Sequence, residues 1–176
     1  MNIKLRDLQP LDKKYFFSWI KDKEVIRYSL SIFQKMRNDD EISSWFDKLL
    51  LDKSSYNKAI VDIDTGNFIG YAGICQISEI NLSGEYFIFI GDKTHHGKGV
   101  GTFVTEQIVK FGFEALELNR IMLTVSEENI GAIKAYSKVN FKTEGVMRQA
   151  FYRDGKFHDK IIMGILKEDW SKLQSS

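Results

Sequence analysis

This chain of 176 residues holds one cysteine and one proline. With Cys75 alone, an internal disulfide and any metal site built from several cysteines are excluded. Pro10 alone leaves no proline-rich linker, and neither an internal repeat nor a low-complexity stretch is present. Charge of one sign is missing too, since 25 Lys and Arg against 24 Asp and Glu leave a formal +1. Without a basic stripe to follow a polyanion, nucleic acid is not an expected partner. No apolar run approaches the roughly 20 residues of a membrane-spanning helix, and the opening Met1-Asn2-Ile3-Lys4-Leu5-Arg6 has no hydrophobic leader. The expectation is a cytoplasmic protein without membrane contact.

What is present reads as one domain over residues 1–176, with 43% hydrophobic residues to fill a core. Met1–Leu8 reads as a strand. Leu11–Val25 reads as a helix with Leu11, Tyr15, Phe16, Trp19 and Ile20 on its buried face. A second helix is capped by Asn38, Asp39 or Asp40 and buries Ile42, Trp45, Phe46, Leu49 and Leu50. The period then shortens to two. Strands are expected at Tyr56–Ile63 and Asn67–Ile77, joined by Asp64-Thr65-Gly66, and at Glu85–Gly91. A helix starting at Val100 is followed by a strand, Arg120–Ser126, and a short helix, Asn129–Lys138, with Asn140 at its left-handed end. Strands Lys142–Tyr152 and Lys156–Leu166 flank the hairpin signal Asp154-Gly155. The order is β-α-α-β-β-β-α-β-α-β-β, a mixed α/β (α+β) domain.

Between the third strand of the central group and the helix from Val100 lies His96-Gly97-Lys98-Gly99-Val100-Gly101-Thr102. A strand, a glycine-rich turn and a helix start form a phosphate cradle, because glycines let backbone approach and the first helical amides point outward. Two common phosphate loops fail on spacing. A Walker A loop needs four residues between its first glycine and Gly-Lys, whereas Gly91 precedes Gly97 by five, and Gly99 stands where the magnesium-binding hydroxyl belongs. The dinucleotide fingerprint G-x-G-x-x-G has Thr102 at its third glycine.

A third pattern fits. The loop resembles the pyrophosphate loop Q/R-x-x-G-x-G/A of the GNAT superfamily of N-acetyltransferases. About thirty residues on, Asn129-Ile130-Gly131-Ala132-Ile133-Lys134-Ala135-Tyr136-Ser137-Lys138-Val139-Asn140-Phe141 is similar to the superfamily's N-x-x-A-x-x-x-Y-x-k-x-G-F. The closing segment Met147–Asp159 resembles the branch holding ribosomal-protein N-terminal and spermidine acetyltransferases. The resemblance implies a mixed, mostly antiparallel sheet with flanking helices. It also implies acetyl transfer from acetyl-CoA to a primary amine by direct attack in a ternary complex, with no metal. His96 departs from the usual Gln or Arg, which leaves a side-chain phosphate contact open. Asn140 departs from the usual Gly but tolerates a positive φ.

Such chemistry needs a deprotonated amine, a donor for the oxyanion and a proton for the departing thiolate. The resemblance assigns the acid role to Tyr136 and a pantetheine contact to Asn129, which suits a helix cap equally well. Glu85 is the candidate base, acting through water. The backbone of Phe89, Ile90 and Gly91 would run beside the pantetheine and supply the oxyanion donor. The residues from His96 to Thr102 would seat the pyrophosphate. Arg27-Tyr28-Ser29 is a candidate acceptor contact. Cys75 reads as a structural thiol and His158 as a surface residue of the terminal hairpin, while His95 and His96 lack further metal ligands.

The acceptor stays open among a protein N-terminus, a polyamine, an amino sugar and another small amine. A polyamine pocket should be acidic, and the near-neutral charge does not favour one, though it says little about a single cleft. The oligomeric state is open, a homodimer included. A non-catalytic acyl-CoA sensor on the same fold is the alternative reading.

Overall fold

The computed structural model describes residues 2–174. A single seven-stranded sheet runs β1 (Ile3–Arg6), β2 (Tyr56–Asp62), β3 (Phe68–Ser78), β4 (Ser83–Ile90), β5 (Arg120–Ser126), β7 (Lys156–Leu166), β6 (Lys142–Arg153) from edge to edge. Every neighbouring pair is antiparallel except β4 with β5. Among the described residues, five α-helices accompany it: α1 (Lys13–Trp19), α2 (Asp39–Leu51), α3 (Val100–Glu114), α4 (Ile130–Lys138) and α5 (Lys167–Gln174). The expected order is observed with one helix added at the end.

Alternation along the strands divides the core between the two faces of the sheet. Ile60, Ala72, Ile74 and Tyr86 join Val104, Ile108 and Phe113 of α3. On the other face Ala59, Val61, Tyr71 and Phe89 join Phe16, Trp19, Ile42 and Phe46 of α1 and α2. The second cluster is strongly aromatic. Phe16, fully buried, meets the rings of Trp19, Phe33, Trp45, Phe46, Phe68, Tyr71 and Phe89 at centroid distances of 5.1–6.2 Å.

The first helix is shorter than the Leu11–Val25 expectation. A 3-10 turn at Pro10–Asp12 precedes it, and Leu11 is 77% exposed instead of buried. It ends because the Asp22 carboxylate accepts from the amides of Glu24 (2.9 Å) and Val25 (3.4 Å), a local bond that competes with continued helix. The chain then continues as turns to the 3-10 segment Ser31–Gln34. Strand β1 likewise stops at Arg6, before the expected Leu8, and Met1 lies outside the described residues.

Local signals elsewhere hold. Asn38 caps α2 by accepting from Glu41 N–H at 2.9 Å. Asn140 has φ 73°, and Asp154 and Gly155 both have positive φ (51° and 80°), as a type I′ hairpin turn requires. Helix α5 was not foreseen; its Trp170 packs on Phe113 at 5.6 Å.

Candidate active site

Strands β4 and β5 pair only through Ser83–Arg120, Gly84–Ile121 and Glu85–Met122. Beyond those three rungs they part, β4 staying with β3 and β5 with β7. A cleft of about 500 Å³ opens in the gap. It lies at the carboxyl ends of two parallel strands, where open α/β sheets place ligands. Helix α3 leaves one strand and α4 the other, so both helix starts border the gap.

The glycine loop follows β4 directly. Asp92 caps the 3-10 turn Lys93–His95 by accepting from Thr94 N–H at 2.9 Å. Gly97 (φ 71°) and Gly99 (φ 82°) then take the left-handed conformation that an L side chain resists. The first intrahelical bond of α3 runs from Phe103 N–H to Gly99 O, at 3.1 Å. The amides of Val100, Gly101 and Thr102 therefore have no partner inside the helix and lie at its positive end, where an anion is favoured.

Across the gap, Asn129 caps α4, accepting from Ala132 N–H at 3.2 Å. Its pocket position and its cap are compatible, because the amide group keeps its two donors. Tyr136 lines the cleft about two turns further along the same face and is only 8% exposed. Burial pushes its pKa well above the ordinary tyrosine value. Its ring stands edge-on to Tyr86 at 6.0 Å. Thr105 donates to Gly101 O at 2.6 Å, so Tyr86 must donate to Thr105 across their 2.9 Å contact. This buried chain ties β4 to the first turn of α3. The sequence reading had Tyr86 only as a strand residue.

All the expected site residues line the cleft except Arg27, Glu85, Gly91 and Lys98. The Glu85 carboxylate sits at the closed end of the gap and accepts from Gln76 Nε2 at 2.8 Å. Gly91 is glycine for packing: a Cβ there would overlap the ring of Trp19. Its amide is bonded to Ile69 O at 2.9 Å, which removes it as an oxyanion donor. Strand alternation turns the neighbouring Ile90 amide the other way, toward the gap. His96 is exposed, and its Nε2 donates to Ile90 O at 2.9 Å. His95 is held between Asp62 and Asp92, at 3.1 Å from each.

Cys75 is half-buried, its thiol pushed up to about 11, first by burial and then by Glu85. Half-burial and a raised pKa leave it little thiolate. His158 corrects its expectation. It is 6% exposed and stacked on Phe151, with Nε2 donating to Arg153 O and Nδ1 on Glu128 at 3.2 Å. Tyr28 and Ser29 do line the cleft, with Glu24 and Val25, and the Arg27 guanidinium lies over the Tyr28 ring at 5.3 Å.

Residues 2–142 match the model of the acetyltransferase (GNAT) domain. The chain belongs to the GNAT acetyltransferases. As a GNAT enzyme it transfers an acetyl group from acetyl-CoA to a primary amine. It is 28% identical to the spermidine N(1)-acetyltransferase of Escherichia coli strain K12 across 96% of this chain and 88% of that protein. It is 26% identical to the uncharacterized N-acetyltransferase p20 of Bacillus licheniformis, across 95% and 94%. The Vibrio cholerae spermidine N-acetyltransferase, solved with CoA and spermine, superposes with a TM-score of 0.86 at 25% identity, covering 97% and 98% of the two chains. Among the described residues, no helix of this GNAT enzyme is long and apolar enough to cross a membrane.

Proposed function

We propose that the cleft between β4 and β5 carries out direct transfer, with the amine attacking the acetyl thioester while both substrates are bound. The amides of Gly97 to Thr102 hold the pyrophosphate of CoA. Phe89, Ile90 and Asn129 run beside the pantetheine arm. The amine nitrogen adds to the carbonyl carbon, and the Ile90 amide donates to the oxygen as charge develops there. The carbon–sulfur bond then breaks and the Tyr136 hydroxyl gives its proton to the departing thiolate. Glu85, outside the cleft lining, takes the amine's proton through water. The acceptor enters along Glu24–Ser29, since the phosphates fill the α3 side. Spermidine, named for the relatives, and a protein N-terminus share the primary amine this scheme needs.

The observation that carries this reading is the meeting of Tyr136, Asn129 and the unpaired amides of α3 on one cleft. Its test is release of free CoA from acetyl-CoA over a panel of amines. Turnover above the amine-free blank is expected. Tight binding of acetyl-CoA with no turnover on any amine would favour the sensor instead. The Glu85→Gln variant is expected to lose rate near neutral pH and to lose less at high pH, where the amine sheds its proton unaided. A wild-type-to-variant ratio that stays flat with pH would make Glu85 structural.

A further inference from the structure

The wall that meets the acceptor has its carboxylates already engaged. Among the described residues lining the cleft, Glu24 is the single carboxylate, against Lys134 and Lys138. Lys93, at the start of the glycine loop, donates to Glu24 Oε2 at 2.9 Å and lies 2.8 Å from Asp22 Oδ2. The bond from Lys93 holds the Asp22 carboxyl below the usual range. Behind the same wall, Glu128 faces His158 at 3.2 Å and Lys156 at 3.4 Å. Burial works against its ionisation, yet His158, Lys156 and Arg27 outweigh that and leave it charged. Glu127 accepts from Asp159 N–H (3.4 Å), and Asp159 accepts from Gln149 N–H (2.7 Å). The cations on this side are Arg27 over Tyr28, and Arg153, whose guanidinium reaches Ile26 O and Ser29 O at 3.5 and 3.3 Å.

A polycation is recognised by carboxylates that it can pair with, and a carboxylate already paired must first give up its own cation, a small cost for an exposed pair. A second ammonium on the acceptor would meet Lys93, Arg27 and Arg153 instead of an open acidic group. The rest of the wall, Val25, Tyr28 and Ser29, offers apolar surface and hydroxyls. Resting on the acetyl-transfer reading, we infer that the acceptor carries one amine on a neutral or anionic body, and that Lys93 is a residue that biases the site against polyamines. This separates the chain from the relatives named for spermidine.

The experiment compares kcat/KM for spermidine, glucosamine, glucosamine 6-phosphate and an alanyl peptide amide, in the wild type, Lys93→Met and Lys93→Arg. In the wild type at least one single-amine acceptor should exceed spermidine. Lys93→Met releases Glu24 and Asp22 together, so the spermidine-to-glucosamine ratio should rise about two- to five-fold, the range of an exposed ion pair. Lys93→Arg keeps the pairs and should keep the wild-type ratio. Spermidine as the preferred wild-type acceptor, or an unchanged ratio in Lys93→Met, would overturn the inference while leaving acetyl transfer intact. No turnover on any of the four amines, with acetyl-CoA still bound, is a different result: it removes the transfer reading and this inference with it.

Discussion

Replacing Tyr136 with Phe is expected to lower kcat by about a hundred-fold, the lower part of the range for a positioned acid. The change deletes one oxygen. The ring keeps its neighbours Tyr86 and Phe141, at 6.0 and 6.1 Å, so the helix and the cleft wall stay in place. Acetyl-CoA affinity should therefore change little, and the loss should appear in kcat rather than KM, as for an interaction made only in the transition state. Burial adds a pH signature. Because the hydroxyl's pKa is raised, its acid form persists across the whole working range. The wild-type rate should show no alkaline fall below about pH 10 that can be assigned to this group. Steady-state kinetics of both proteins across pH check this, and an unchanged kcat would remove Tyr136 from the chemistry.

Replacing Phe16 with Ala should be the most damaging change to stability. The side chain is fully buried and seven aromatic rings surround it. Phe-to-Ala changes in cores cost about 3–5 kcal/mol, against a typical total of about 5–15 kcal/mol. For a domain of this size that corresponds to a fall in Tm of about 10 °C. Phe16→Leu retains most of the volume and should cost less than about 1.5 kcal/mol. The damage should also reach function, because Phe16 packs on Phe89, a cleft residue, and on Trp19, which ends α1 just before the acceptor wall. Thermal unfolding followed by circular dichroism measures both variants. A shift below about 2 °C for the alanine would mean that the aromatic cluster closes over the vacancy.

The sequence was most readable where local chemistry dictates local structure. Asn38, Asn140, Asp154-Gly155 and the alternating glycines each impose a cap or a turn within a few residues, and each appears where expected. Reading failed where a side chain answered to something distant or competing. Asp22 accepts from the amides that follow it, so the apolar pattern of α1 ran on through residues that are not helical. His158 looked like a surface residue because Glu128, which faces it, comes from another part of the chain, and the register that sets Phe151 across from it in the hairpin is not written in the turn signal. The motifs pointed to the glycine loop and Tyr136, which line one cleft. They could not reveal that Gly91 had spent its amide on Ile69, or that Lys93 reaches back to Asp22 and Glu24. Those contacts exist only after the sheet has formed.

The three rungs between β4 and β5 have a mechanical consequence. The sheet is two leaves, β1 to β4 and β5 to β6, joined along a short spine. Backbone hydrogen bonding barely couples them. What welds the leaves is oily: Ile74 and Tyr86 of one and Ile121, Leu123 and Met163 of the other close on the same stripe of α3. Parting the leaves at the mouth thus breaks few ladder bonds, while parting them at the spine exposes apolar core. Bending is cheap where substrates enter and costly where the sheet must hold, and α3 is the splint that keeps the two apart in stiffness.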